Sequence, residues 1–155
     1  MNKEKSYTLL GFFLLLWAVV YFFMYYNAMP ERVAMHFDGE GQPNGFGSRL
    51  EASAVFVIMS VVMLILHFVK KMDPEMMNMP VKKTKENLPV LYQISKELLS
   101  FIIFWCGAFS LFISYQMVQI ALANNFEMSD WLFWFLLIGL FIMIGYYILK
   151  MRKHQ

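Results

Sequence analysis

The chain has 155 residues, 59% of them hydrophobic, 18% aromatic and 15% charged, with a formal net charge of +2; soluble domains carry about 25% charged residues. That composition excludes a water-soluble globule, and the length suits one compact unit held together by helix packing in lipid. Basic residues flank apolar runs and do not interleave with aromatic platforms, which argues against nucleic acid as a partner. The single cysteine, Cys106, excludes an internal disulfide and a thiolate zinc site.

In chain order, Lys3 and Lys5 precede a first apolar run from Thr8 to Ala28, close to the roughly 20 residues that cross the hydrocarbon core. A signal peptide has similar flanks, but this run is long and ends in Tyr25, Tyr26, Asn27, Ala28 and Met29 with no small-x-small cleavage site. It is expected to stay as a first transmembrane helix.

The next segment, Met29 to Glu51, concentrates the unusual backbone chemistry. Gly39, Gly41, Gly45 and Gly47 lie with Pro43 inside eleven residues, which predicts tight turns with positive-φ positions and a compact, turn-rich loop. Just before them Val33, Met35 and Phe37 alternate with Ala34 and His36, predicting a short extended stretch on the membrane surface. Pro30 fixes the exit from the first helix, and Phe37 and Phe46 are expected to anchor the loop at the interface, where aromatic rings are favoured.

The loop follows the pattern Pro-x-x-Val-x-x-His-Phe-(Asn or Asp)-x-x-Gly-x-Pro-x-(Gly)-(aromatic)-Gly-Ser-basic, carried here by Pro30, Val33, His36, Phe37, Asp38, Gly41, Pro43, Phe46, Gly47, Ser48 and Arg49 without a gap. In this it resembles the bacterial immunity-protein family of the SdpI type, whose small membrane domain of unknown function carries such a segment between its first two helices. Asp73-Pro74 with Asn78 extends the likeness, so that it covers about residues 7–95. Asp38 stands where Asn is more usual, and the chain has four apolar runs where the immunity proteins have further helices. The resemblance implies protection against a secreted antimicrobial peptide, with such a peptide or another membrane protein as partner. It also implies a signalling role, since members are implicated in holding a transcriptional repressor at the membrane.

The residues of the loop allow two readings. His36, Phe37, Asp38, Glu40 and Asn44 are candidates for binding a peptide ligand, while Pro30, Gly41, Pro43, Gly45 and Gly47 are candidates for shaping the loop. Alternatively His36 only fixes the turn beneath it. An EF-hand starting at Asp38 is excluded because its sixth and twelfth positions are Pro43 and Arg49 instead of glycine and glutamate. No metal and no cofactor is expected.

Three further apolar runs follow, Ala52 to Val69, Leu98 to Ala121 and Trp131 to Leu149, none with Asp, Glu, Lys or Arg. One central charge costs about 3 kcal/mol of insertion free energy, and only helices satisfy the backbone there. Between the second and third runs, Asp73-Pro74-Glu75 has helix-start chemistry and Pro89 is placed to open a helix through Leu91, Ile94 and Leu98. Met72, Met76, Met77 and Met79 suit packing or a lipid surface better than a soft metal, and the nearby lysines suit anionic lipid heads. In the third run Cys106, Ser110 and Ser114 recur every four residues, a small-residue stripe that marks a helix contact, internal or between subunits of a homo-oligomer.

Eleven Lys and Arg residues fall in the N-terminal tail, the middle loop and the C-tail, against Arg32 and Arg49 on the other side. The positive-inside rule therefore predicts an all-α protein of the cell membrane with four transmembrane helices, both termini cytoplasmic, and the motif loop outside. Glu31, Asp38, Glu40, Glu51, Glu127 and Asp130 make that outer face acidic. With no HExxH, GxSxG or P-loop lysine motif, and with His67 and His154 on the opposite side from His36, no enzyme is expected. The function expected is a non-enzymatic SdpI-like immunity or resistance factor acting through the loop; the alternative is a small transporter or an accessory subunit of a larger membrane complex. Transport is weakened by the lack of an ionisable residue within a span.

Overall fold

The computed structural model describes residues 3–123 and 130–154, and contains α1 (Lys3–Tyr25), β1 (Arg32–Phe37), β2 (Pro43–Ser48), α2 (Arg49–Val69), α3 (Leu88–Ala123) and α4 (Asp130–Arg152). All four of these helices are long and apolar enough to cross a membrane. The N-terminal start of α1, the 70–87 connection and the end of α4 gather at one end, which we call the termini end. The hairpin lies at the other.

α1 stops at Tyr25, three residues before the expected Ala28. Pro30 disfavours helical backbone at Met29, so the chain leaves through a turn in which Ala28 N and Met29 N both donate to Tyr25 O, at 3.0 and 3.1 Å. α2 starts three residues earlier than expected, on a capping box: Glu51 N donates to Ser48 Oγ at 3.1 Å and Ser48 N donates to Glu51 Oε2 at 2.6 Å, satisfying two donors left open by the first turn. α3 does open at Leu88 with Pro89 in its first turn, preceded by reciprocal Thr84 and Asn87 contacts of 2.8 and 3.3 Å. The other start signal does not propagate. Asp73 Oδ1 accepts from Glu75 N at 2.9 Å and its carbonyl accepts from Met76 N at 3.0 Å, giving one turn before Pro80 and the lysines carry the chain on.

α3 is the hub. Its closest neighbour is α1, and the two backbones touch: a Cβ on Gly11 would lie 2.6 Å from Ile103 O, and one on Gly107 would lie 2.9 Å from the Gly11 Cα. Approach this close is how apolar helices associate in lipid, where packing replaces the hydrophobic drive. Higher along the same seam Ser114 Oγ donates to Ala18 O at 2.7 Å, and Gln119 Nε2 donates to Tyr21 Oη at 3.0 Å. Among the described residues the α4 backbone approaches only that of α3, held by Trp105 Nε1 donating to Leu136 O at 2.8 Å and by a 3.0 Å ion pair of Lys150 with Glu97.

Two apolar clusters result. One, with Leu15, Ala18, Phe22, Phe56, Ile103 and Val118, joins α1, α2 and α3 and reaches Met29 and Val33 of the hairpin end. The other joins Leu91, Ile94, Phe101, Tyr147 and Met151 to Met77, Met79 and Val81 of the connection. Met77 and Met79 are thus packing residues, whereas Met76 is exposed.

Candidate functional site

The segment expected as a turn-rich loop is a β-hairpin, so the chain is not helical throughout. β1 and β2 pair antiparallel, Arg32 opposite Ser48, Val33 opposite Gly47, Ala34 opposite Phe46, His36 opposite Gly45 and Phe37 opposite Pro43, with irregularities on either side of His36. The extended stretch at 33–37 is β1; what the glycine count obscured is that 43–48 is extended too. Gly41 is the positive-φ glycine among the described residues, at 77°, a conformation that costs other residues about 1 kcal/mol. Gly45 and Gly47 serve close approach instead. A Cβ on Gly45 would lie 2.8 Å from His36 Cβ, and one on Gly47 would run into the Met35 thioether and lie 3.0 Å from Glu51 Oε2. Gly39 has open space.

Most polar groups of the motif are consumed in building this hairpin. Asp38 Oδ1 accepts from both Glu40 N and Gln42 N at 2.9 Å, while Asp38 N donates to Gln42 O and Gly41 N to Asp38 O. The Asp38 side chain is therefore the internal frame of the tip. Ser48 caps α2. Arg49 reaches back across the hairpin base, its Nη1 donating to Tyr26 O at 2.7 Å and Met29 O at 3.2 Å with the guanidinium 4.9 Å from the Tyr26 ring centroid. Carbonyls left open where α1 ends thus receive a cationic donor, which also suits the helix dipole. Arg32 Nη2 donates to Phe46 O at 3.3 Å, and Val33 and Ala34 bury themselves against the bundle.

His36 and Asn44 remain. Both are exposed, and His36 Nδ1 is hydrogen-bonded to Asn44 Oδ1; with the amide oxygen accepting, the Nδ1 carries the proton. Glu40 is exposed at the tip, Phe37 and Pro43 are half-buried, Pro30 is exposed at the base, and Met35 and Phe46 stand 45% and 55% exposed. The hairpin therefore brings His36 and Asn44 together and assigns Asp38 to the turn. Among the described residues no three His, Cys, Asp or Glu side chains converge as a metal site would require. Glu127 lies outside the described residues.

Residues 12–61 match the family model described as a domain of unknown function (DUF1648). The match holds most of α1, the whole hairpin and more than half of α2, a narrower stretch than the 7–95 over which the SdpI-type resemblance runs. No match was found among curated proteins or among solved structures. The chain is an integral membrane protein carrying this DUF1648 stretch.

Within the bundle the serine stripe separates into different roles. Ser110 is buried and its hydroxyl turns back on its own helix, donating to Cys106 O at 2.7 Å, whereas Ser114 crosses to α1. Cys106 is half-buried and borders a 210 Å³ cavity with Met59, Trp105, Phe109 and Leu136. Gln116 is legible in the sequence as a polar residue of the third run, but the Gly11–Gly107 crossing, the missing partner of Gln116 among the described residues and the burial of Lys70 are not. Gly11 and Gly107 carry the helix crossing, and Gly107 stands at small-residue spacing from Ser110 and Ser114. Gln116 is 3% exposed with no partner for its Nε2 among the described residues. Lys70, at the end of α2, is 4% exposed; its Nζ donates to Thr8 Oγ1 at 2.6 Å and Ser100 Oγ at 3.1 Å and lies 3.3 Å from Glu4 Oε1. No periodicity flags that lysine.

Proposed function

We propose that this protein is a non-enzymatic binding factor of SdpI-like type, which protects the cell from a secreted antimicrobial peptide by engaging it at the hairpin. The observation that carries the reading is the division of labour in the motif. The side chains of Asp38, Ser48 and Arg49 are spent on backbone groups of the hairpin and its flanks, while His36 and Asn44 present a polar pair to solvent beside exposed Met35 and Phe46. A preorganised polar pair with apolar neighbours suits an amphipathic peptide, since little ordering entropy is lost on binding. The eleven basic residues at the termini end, against two at the hairpin end, support an orientation in the cell membrane with the former cytoplasmic and the hairpin outside.

The test is survival of cells under a secreted antimicrobial peptide, comparing the gene deletion with strains carrying His36→Ala or Phe46→Ala at equal membrane abundance. Sensitised variants support the reading, and fully resistant ones refute it. Orientation is checked separately in a Cys106→Ser background: an impermeant thiol reagent should label Asn44→Cys and not Thr84→Cys in intact cells.

A second reading, a small transporter or accessory subunit, is favoured by Gln116, a buried amide with an unpartnered donor on the central helix, because polar groups left open inside a membrane bundle mark ligand paths. Proton-dependent uptake in vesicles, lost in Gln116→Leu and retained in His36→Ala, would select it.

A further inference from the structure

At the termini end a cavity of about 520 Å³ opens between the start of α1, the end of α2 and the first turns of α3. Four lysines line it, Lys5, Lys70, Lys71 and Lys96, against the single carboxylate of Glu4, an excess of three positive charges with His67 neutral. Lys70 is already engaged, since it donates to Thr8 and Ser100 and is ion-paired with Glu4. The other three ammonium groups have no carboxylate within ion-pair distance among the described residues. Lys96 Nζ rests 4.4 Å from the Tyr92 ring centroid and Lys71 Nζ 5.8 Å from that of Phe68, contacts that hold the stems while leaving N–H donors free. His67 lines the same cavity, and its Nδ1 is buried with no hydrogen-bond partner among the described residues.

Like charges converging on one cavity repel unless an anion sits among them, and the wall composition indicates which anion. Beyond the lysines the lining continues to Leu9 and Phe12 on the apolar stretch of α1, with Leu9 64% exposed. A cationic chamber at helix ends that gives onto an apolar, lipid-facing wall matches a phospholipid, its phosphate among the ammonium groups and its chain along the helix. We propose that this cavity is a specific site for the headgroup phosphate of an anionic phospholipid, with Lys71 and Lys96 as its principal ligands and Lys70 fixing its floor. The site lies at the opposite end from the hairpin and does not depend on the peptide-binding reading.

The test is thermal unfolding of the delipidated full chain in neutral detergent, titrated with phosphatidylglycerol, phosphatidylcholine or inorganic phosphate, with native mass spectrometry counting retained lipid. Phosphatidylglycerol should raise the unfolding temperature with concentration, as a ligand of the folded state must; phosphatidylcholine and inorganic phosphate should not. Lys71→Gln/Lys96→Gln should lose most of that shift and the retained lipid, while the charge-matched Lys82→Gln/Lys153→Gln keeps both. Equal shifts from the two lipids, or a full response in Lys71→Gln/Lys96→Gln, would overturn the site. Loss of response in both variants would reduce it to general surface charge, and a shift from inorganic phosphate alone would overturn the lipid assignment in favour of the free anion.

Discussion

The two ends of the bundle solve one problem, the placing of polar groups at the rim of an apolar protein, in opposite ways. At the hairpin end the partners are near in sequence: Asp38 with Glu40 and Gln42, Ser48 with Glu51, His36 with Asn44. At the termini end, beside local pairs such as Thr84 with Asn87, the decisive partners are far apart, Lys70 meeting Glu4 and Ser100, Lys150 meeting Glu97, and Asn87 donating to His154 O at 3.0 Å. Local chemistry shapes the hairpin; long-range pairs tie helices to one another. Substitutions at the first end should therefore alter the hairpin and spare the bundle, and those at the second should loosen the bundle.

The largest effect is expected at the termini end. Glu4→Gln leaves Lys70 buried without its counter-charge, a situation that costs about 3 kcal/mol, visible as a lower midpoint in denaturant titration of the micelle-bound protein. Glu4→Gln/Lys70→Met should recover most of the loss, because an uncharged pair leaves no buried charge without a partner. A double variant as unstable as the single one would show that the pair serves packing and not charge.

Next in size is Arg49→Ala, which withdraws a charged donor from Tyr26 O and Met29 O and should cost about 2 kcal/mol. Arg49→Lys should recover only part, since an ammonium lacks the guanidinium fork and its stacking on Tyr26. The loss should appear as faster proteolysis between residues 26 and 49 with α3 and α4 still protected. Ser48→Ala, which removes the α2 cap, should cost about 1 kcal/mol. Gly45→Ala should act through the site more than through stability, because its Cβ would press on His36 Cβ and part that ring from Asn44; the readout is the loss of peptide protection at normal protein abundance.

This contrast also explains how much was legible in the sequence. Four uncharged runs of bilayer length reported themselves, since composition alone decides what can cross lipid, and α3 began at Leu88 as Pro89 indicated. The hairpin was half visible. Val33 to Phe37 read as extended from its alternation, but Pro43 to Ser48 did not, because Gly45 and Gly47 look like turn formers when considered singly and become strand residues only beside His36 and Met35. Lys70 was counted as an interfacial charge; its burial depends on Glu4, Thr8 and Ser100, none of them nearby in the chain. Gly11 and Gly107 reveal their purpose only when the two helices are laid together.

The smallest expected effect separates two roles for one residue. If Asp38 is only the frame of the tip, what matters is an oxygen at the Oδ1 position accepting from Glu40 N and Gln42 N, and an amide oxygen supplies that as well as a carboxylate. Asp38→Asn should then leave both the hairpin and peptide protection unchanged, whereas Asp38→Ala, which leaves two tip amides without their acceptor, should speed amide exchange at Glu40 and Gln42 and weaken protection. Were the negative charge itself to contact a cationic peptide, Asp38→Asn would lose protection with exchange at the tip unaltered. That loss would fade in high salt, as contacts between exposed charges do, whereas the effect of Asp38→Ala on the tip would persist.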